Sequence, residues 1–169
     1  VLVSKLARQQ VKVALSADGG DEIFGGYNKF NQAEKFTTSM PVALQTMLSG
    51  AMSLINPSYI PYFNTKYNFS PRYEKMKLIW RKHDPVQAVK YISQYSTESD
   101  VESFLGKPFE RYHTSFDDGD KLVKNDGITN RLLAVDYKTF LVDNNLVKVD
   151  RATMSVSLEG REPMLDHRV

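Results

Sequence analysis

The segment Val11-Lys-Val-Ala-Leu-Ser-Ala-Asp-Gly-Gly-Asp-Glu-Ile-Phe-Gly-Gly-Tyr27 changes structural period three times within seventeen residues. Val11, Val13 and Leu15 alternate with Lys12 and Ala14, the period of a short strand rich in β-branched residues. Ser16-Ala-Asp-Gly-Gly20 then reads as a tight turn, with Gly19 and Gly20 supplying positive φ or close backbone approach. Asp21 and Glu22 follow in the first turn of a helix, where negative charge is favoured. A strand, a glycine turn and a helix start make a ligand crevice of the kind found beyond the carboxyl ends of strands in open α/β sheets. Asp18, Asp21 and Glu22 would repel a bare phosphate, so a phosphate ligand here requires a hard divalent cation such as Mg²⁺ between the two sets of charge.

The same turn also reads as a simple helix cap. What speaks for a ligand is the second glycine pair. Gly25-Gly26 is expected inside the first two turns of the helix, where each glycine costs about 1 kcal/mol relative to alanine. Close packing against a sheet, or room for a ligand, would compensate. Tyr27 adds a ring and a hydroxyl beside that space.

At 169 residues the chain is long enough for one domain with a real core, or for a piece of a larger one. No apolar run approaches the ~20 residues needed to span a bilayer, and no secretory signal is visible. Val1 to Arg8 reads as the last two turns of a helix, so the sequence is expected to begin inside an element. The absence of cysteine excludes disulfides, cysteine-ligated metal and a cysteine nucleophile, and fits a reducing cytoplasm. A net charge of +2 with interspersed signs leaves no basic stripe for nucleic acid.

Beyond Tyr27 the pattern is helical. Phe30, Ala33, Phe36 and Thr37 are expected to continue the helix that starts near Asp21, as far as Met40-Pro41. Val42, Leu44, Met47, Leu48, Met52 and Ile55 form the apolar face of a second helix, stopped by Asn56-Pro57. Tyr59 to Phe63 reads as a proline-punctuated aromatic link. Pro71 opens a helix through Trp80-Arg-Lys, and Asp84-Pro85 caps another that runs to Tyr95. Lys107 to Gly127 reads as irregular chain, with Asp117 to Asp120 as a solvated turn rather than a calcium loop. His83, His113 and His167 are isolated from one another and read as structural or surface residues.

The last forty residues carry a second signal. From Gly127 a helix bearing Leu132, Leu133, Val135, Tyr137, Phe140 and Leu141 leads to Val142-Asp-Asn-Asn145, a polar stretch expected to stop one helix and cap the next. In Leu146-Val-Lys-Val-Asp-Arg-Ala-Thr-Met-Ser-Val-Ser157, Lys148 and Arg151 share a helix face around Asp150. Leu158 to Pro163 is an extended, charge-dense link, and Asp166 reads as the cap of one more helix. Lys148, Asp150, Arg151, Glu159 and Arg161 form either a salt-bridged surface or an anion site in which Asp150 and Glu159 orient the cations.

Together, Val11 to Tyr27 and Leu146 to Val169 resemble the synthetase domain of glutamine-hydrolysing asparagine synthetases. The two stretches make up about a quarter of the chain. The resemblance implies an α/β domain of the adenine nucleotide α-hydrolase type, of which residues 1–169 form one mostly helical part with one or a few parallel strands near the N-terminus. Its segments would be the strand-loop-helix of the nucleotide site (1–27), a helical middle (28–126) and a helical segment with the basic motif (127–169). It implies ATP and Mg²⁺ as cofactors, adenylation of the aspartate side-chain carboxylate, and displacement of AMP by ammonia from an N-terminal glutaminase domain outside this chain. Ser16, Ala17, Asp18, Gly19 and Gly20 would line the nucleotide site. Asp21 would work with Mg²⁺ and pyrophosphate, Glu22 with the reacting end, and Tyr27 would flank substrate. Arg151 or Lys148 would meet the acyl-adenylate phosphate, with Asp150 and Glu159 beside them.

Departures bound that implication. The family's Ser-Gly-Gly-x-Asp-Ser pyrophosphate loop is not in this sequence, so the segment alone is expected to hold half an ATP site and to be inactive. Ala17 stands where glycine is usual, Asp18 at a Glu or Asp position, and Gly160, Glu162 and Met164 where Ala, Val and Phe are more common. An amidotransferase or β-lactam-synthetase-like enzyme acting on another carboxylate is one alternative, and a non-catalytic helical interaction module is another. A strand from Val11 to Leu15 stripped of its neighbours is expected to present an open edge or to form a homodimer.

Overall fold

Parallel pairing of two short strands brings the two ends of the sequence together in the computed structural model. The structure describes residues 1–59, 69–118, 121, 123 and 127–168. In chain order its elements are α1 (Leu2–Arg8), β1 (Val13–Leu15), α2 (Gly20–Phe24), α3 (Asn28–Thr38), α4 (Val42–Leu54), α5 (Phe69–Lys82), α6 (Pro85–Ser93), α7 (Glu98–Leu105), α8 (Ile128–Asp136), a π-helical stretch (Tyr137–Leu146), α9 (Val147–Met154) and β2 (Glu159–Arg161). Single 3-10 turns lie at Pro57–Tyr59 and Pro163–Leu165. The chain is therefore mostly helical with a small two-stranded parallel sheet. No helix among the described residues is long and apolar enough to cross a membrane.

The chain divides into two compact units, Val1–Tyr27 with Asp120–Val169, and Asn28–Gly119. In the first, Val13 lies opposite Glu159, Ala14 opposite Gly160 and Leu15 opposite Arg161. The Glu159 N–H donates to Lys12 O and the Ser16 N–H to Arg161 O, each at 2.9 Å, extending the ladder at both ends. The expected charged link after Leu158 thus contains a strand. Leu158, 2% exposed, is sunk in this unit and draws the link against β1. β1 thus gains one neighbour and keeps one open edge in the sheet, and the expectation of strands confined to the N-terminal end is corrected.

Two helix expectations change here as well. The helix expected from Asp21 to Met40 is two helices, because Gly25 takes φ 73° and ends α2, with the Gly25 and Gly26 N–H groups both donating to Asp21 O. Alanine at Gly25 would be strained rather than stabilising. Conversely, no break occurs at Val142–Asn145. The helix runs from Ile128 to Met154 without interruption, its middle ten residues wound as a π-helix. Leu132, Val135 and Leu141 on this helix are all at most 2% exposed and form the unit's core with Leu158.

In the second unit, α6 is buried along Val86, Ala88, Val89 and Tyr91, while Phe30, Ala33 and Ile79 from α3 and α5 complete the core. Asp84 caps α6 by accepting the Val86 N–H at 3.0 Å. The sequence reading passed over α7, which has no buried residue. Its signal was the reciprocal cap between Thr97 and Asp100, together with Gly106 at φ 67°. Asp117 accepts the Thr114 N–H at 3.0 Å in the acidic turn. Residues 60–63 of the aromatic link, and 119, 120, 122 and 124–126 of the irregular segment, lie outside the described residues.

α4 does not bury the face its apolar periodicity selects. Val42, Leu44, Met47 and Ile55 are exposed and only Leu48 and Met52 of the expected face are half-buried, whereas Gln45 is 0% exposed and Ser49 is buried. The Gln45 amide donates to Thr37 O and Met40 O, both at 2.8 Å, satisfying carbonyls left over where α3 ends. His83, at φ 54° after α5, places Nδ1 3.2 Å from Gln45 Oε1 and Nε2 3.1 Å from Thr46 Oγ1. Hydrogen bonding, not apolar area, decides which face of α4 turns inward. Gln45→Leu should therefore cost about 1–3 kcal/mol in urea unfolding, by stranding those partners. Met47→Ser, on the nominal apolar face, should change stability by less than about 0.5 kcal/mol.

Candidate functional site

The turn between β1 and α2 is held from both sides. The Ser16 hydroxyl donates to the Asp18 carboxylate, and the Gly20 N–H donates to Ala17 O at 3.2 Å. Gly19 is buried at φ 91°, and a Cβ there would run into the Leu165 side chain. Gly26 is less constrained, since a Cβ at that position would overlap only the end of the exposed Asp21 side chain. Both glycines thus serve close approach, Gly19 to the segment after β2 and Gly26 to an acidic side chain.

Glu22 is only 2% exposed, and a buried carboxylate must find donors. The Tyr27 hydroxyl donates to Glu22 Oε1 at 2.9 Å, and Asn145 Nδ2 donates to the same oxygen at 2.8 Å. Asn145 Nδ2 also lies 3.2 Å from Tyr27 Oη, and Lys148 Nζ donates to Asn145 Oδ1 at 3.3 Å. The Tyr27 ring meets Phe140 edge-on, with centroids 5.8 Å apart. Burial, reinforced by the hydrogen bond to Glu22, pushes the Tyr27 pKa up to about 12, so the phenol stays protonated and donating.

Ser16, Ala17, Asp18, Gly19, Asp21, Glu22, Tyr27 and Asn145 line one cleft of about 270 Å³. Lys148 lines a neighbouring cavity of about 380 Å³ that shares Ser16 and Asp18 with it. Of the residues singled out from sequence, Gly20 opens α2 with nothing within 4 Å of its missing Cβ. Asp150, Arg151 and Glu159 are exposed and line neither space. Glu159 turns to Arg161, 2.7 Å away, rather than to the basic pair. Asn145 is the residue the sequence reading missed as a site member. Its signal was a pair of adjacent amides three residues before a lysine, in a helix that otherwise continues.

Residues 1–169, the whole chain, match the family model described as Asparagine synthase. The chain belongs to the asparagine synthase family. Among curated proteins it is similar to the glutamine-hydrolysing asparagine synthetase 1 of Bacillus subtilis (strain 168), 28% identical over 169 aligned positions that take in 97% of this chain and 24% of that protein. The chain thus spans about a quarter of the length of the curated relative it matches. No solved structure gives a significant match.

Within this asparagine synthase segment, the donor set at the cleft fits a cation that is shared with phosphate. No three His, Asp or Glu residues among those described gather into a metal cage. Asp18 and Asp21 do stand at one cleft, and Mg²⁺ is commonly held by one or two carboxylates together with phosphate oxygens and water.

The Tyr27 hydroxyl has a signature in pH. Its pKa is raised on folding from 10.0 to about 12, so its contribution to stability is full below about pH 10 and is lost as pH rises toward 12. In urea unfolding Tyr27→Phe should be less stable than the unsubstituted protein at about pH 8, and that gap should narrow steadily above about pH 10. A constant gap would mean that the hydroxyl is not held on Glu22.

Proposed function

We propose that this chain is part of an ATP-dependent ligase that adenylates a carboxylate, in the leading reading the aspartate side chain, and transfers to it ammonia released from glutamine, giving asparagine, AMP and pyrophosphate. The observation that carries the reading is the hydrogen-bonded series Lys148, Asn145, Glu22 and Tyr27, set at a cleft whose other wall is the turn from Ser16 to Asp21. Family membership and the similarity to a glutamine-hydrolysing asparagine synthetase support it. Residues 1–169 are then one part of a single α/β domain of the adenine nucleotide α-hydrolase type. The pyrophosphate loop and the glutaminase domain are supplied by polypeptide outside these residues, the segment alone is inactive, and the reaction takes place in the cytoplasm.

In this reading an oxygen of the acceptor carboxylate attacks the α-phosphorus of ATP. The bond to the oxygen bridging the α- and β-phosphates breaks, and pyrophosphate leaves. Ammonia then attacks the acyl carbon, the acyl–oxygen bond breaks with its electron pair leaving on AMP, and the nitrogen gives up a proton. Asp21, with Asp18 at the same cleft, would hold Mg²⁺, which would supply positive charge to offset that of the departing phosphates. Ser16, Ala17 and Gly19 form the wall against the nucleotide, Gly20 opens α2 next to them, and Ser16 steadies Asp18 by donating to it. Lys148 supplies positive charge where negative charge builds at the α-phosphate, with Arg151 one turn further along α9 and Asp150 between them. Glu22 and Tyr27 hold the reacting end rigid.

A second reading, with a different carboxylate as acceptor, is favoured by Glu162. This half-buried acid lines a cleft at the carboxyl ends of β1 and β2, and its carboxylate lies 3.4 Å from where a Cβ on Gly160 would sit. A negative charge there, shared with Arg161 and Arg168 on the same cleft, weighs against an acceptor that brings a second carboxylate, as aspartate does.

ATP–pyrophosphate exchange on the longest natural polypeptide carrying this sequence tests the proposal, with aspartate set against a panel of other carboxylates. Exchange should depend on one carboxylate and should fall by about 100-fold or more in Asp21→Asn and in Lys148→Met. Folded protein that exchanges with no carboxylate would leave the helical interaction module in its place.

A further inference from the structure

Asn145 is 7% exposed, and its three side-chain hydrogen bonds all go to charged or phenolic partners. Nδ2 faces Glu22 Oε1 and Tyr27 Oη, while Oδ1 accepts from Lys148 Nζ. The reverse amide orientation would set an acceptor against a carboxylate and a donor against an ammonium, so the chemistry allows one orientation only. An amide is the neutral side chain that can stand between an acid and a base and satisfy both. Aspartate would confront Glu22 with a like charge, and leucine would satisfy neither neighbour.

The backbone that presents this amide is unusual in its own right. π-helical turns are rare, mostly single-turn, and concentrated at functional sites, whereas this one runs for ten residues and ends at Leu146, one residue after Asn145. Among the described residues Lys148 forms no ion pair, because its contact is the neutral amide rather than Glu22 itself. A direct Lys148–Glu22 bridge would fix the cation by neutralising it. The amide link fixes it and leaves the charge available. Arg151, one turn later and exposed, has no such tether among the described residues.

We propose that Asn145 is a positioning residue, which couples the buried Glu22 carboxylate to Lys148 and holds that ammonium, with its charge unspent, at the cavity that Lys148 lines with Ser16 and Asp18. The proposal rests on the adenylating role given to Lys148 above, and it has one test that depends on activity and one that does not.

For the first, Asn145→Leu keeps the volume and removes the link. In ATP–pyrophosphate exchange it should lower kcat by roughly 10- to 100-fold, with little change in KM for the acceptor, because misplacing a charged group by about 1 Å costs on that order. Asn145→Gln, which restores the amide, should recover part of the loss. Built into Lys148→Met, Asn145→Leu should cause no further decrease. Equal losses in both backgrounds, or no loss in either, overturn the proposal.

For the second, the side-chain amide signals of Asn145 are assigned in ¹⁵N-labelled protein by their disappearance in Asn145→Leu. They should move in Lys148→Met, a substitution at an exposed position that leaves the fold intact. Unmoved signals overturn the link even in protein that shows no exchange. Moved signals without any exchange keep the link and discard the adenylating role.

Discussion

A carboxylate shut away from water has to be met by donors, and in this protein the Glu22 carboxylate organises what surrounds it. Its two donors come from opposite ends of the sequence. Tyr27 stands five residues further on, and Asn145 stands 123 residues away. Bringing Asn145 to that oxygen fixes the rotation of the long helix from Ile128 to Met154, and that rotation in turn sets where Lys148 emerges. The parallel pairing of β1 with β2 and the seating of Leu165 against Gly19 then hold the turn from Ser16 to Gly20 across from the helix. Polar satisfaction, rather than apolar area, gives the cleft its geometry.

The same principle recurs in the Asn28–Gly119 unit, where Gln45 holds the end of α3 and the His83 ring by its side-chain amide. In both units a buried amide, rather than an apolar side chain, joins parts of the chain distant in sequence. Each costs its share of desolvation and returns a single geometry, because a planar group with two donors and two lone pairs fits one arrangement of partners.

How much could be read in advance depended on how near each partner stood in the chain. The strand, the glycine turn and the acidic helix start are local matters of period and backbone freedom, and Val13–Leu15, Gly19 and α2 agree with that reading. The glycine pair at Gly25-Gly26 was legible as a constraint but not as a helix end, since Asp21 meets both glycines only once α2 has formed. Val142 to Asn145 read as a helix stop because amides usually compete with helical bonding, and nothing nearby in the sequence announces a carboxylate 123 positions earlier. Spacing alone left Lys148 and Arg151 equivalent. The tether at Asn145 separates them. Glu159 read as a partner for that pair, but strand formation turned it toward Arg161.

The order in which this chain leaves the ribosome gives the discontinuous unit a particular history. The Asn28–Gly119 unit is continuous in sequence and can complete itself early, whereas the other is closed only by residues at the far end. Glu22 emerges 123 residues before the amide that receives it, an interval of roughly 6–25 s at ordinary rates of synthesis. Through that time the carboxylate lies hydrated and unconstrained. Its desolvation is therefore a late event, and the burial of one acid marks the moment at which both segments of this unit are in place.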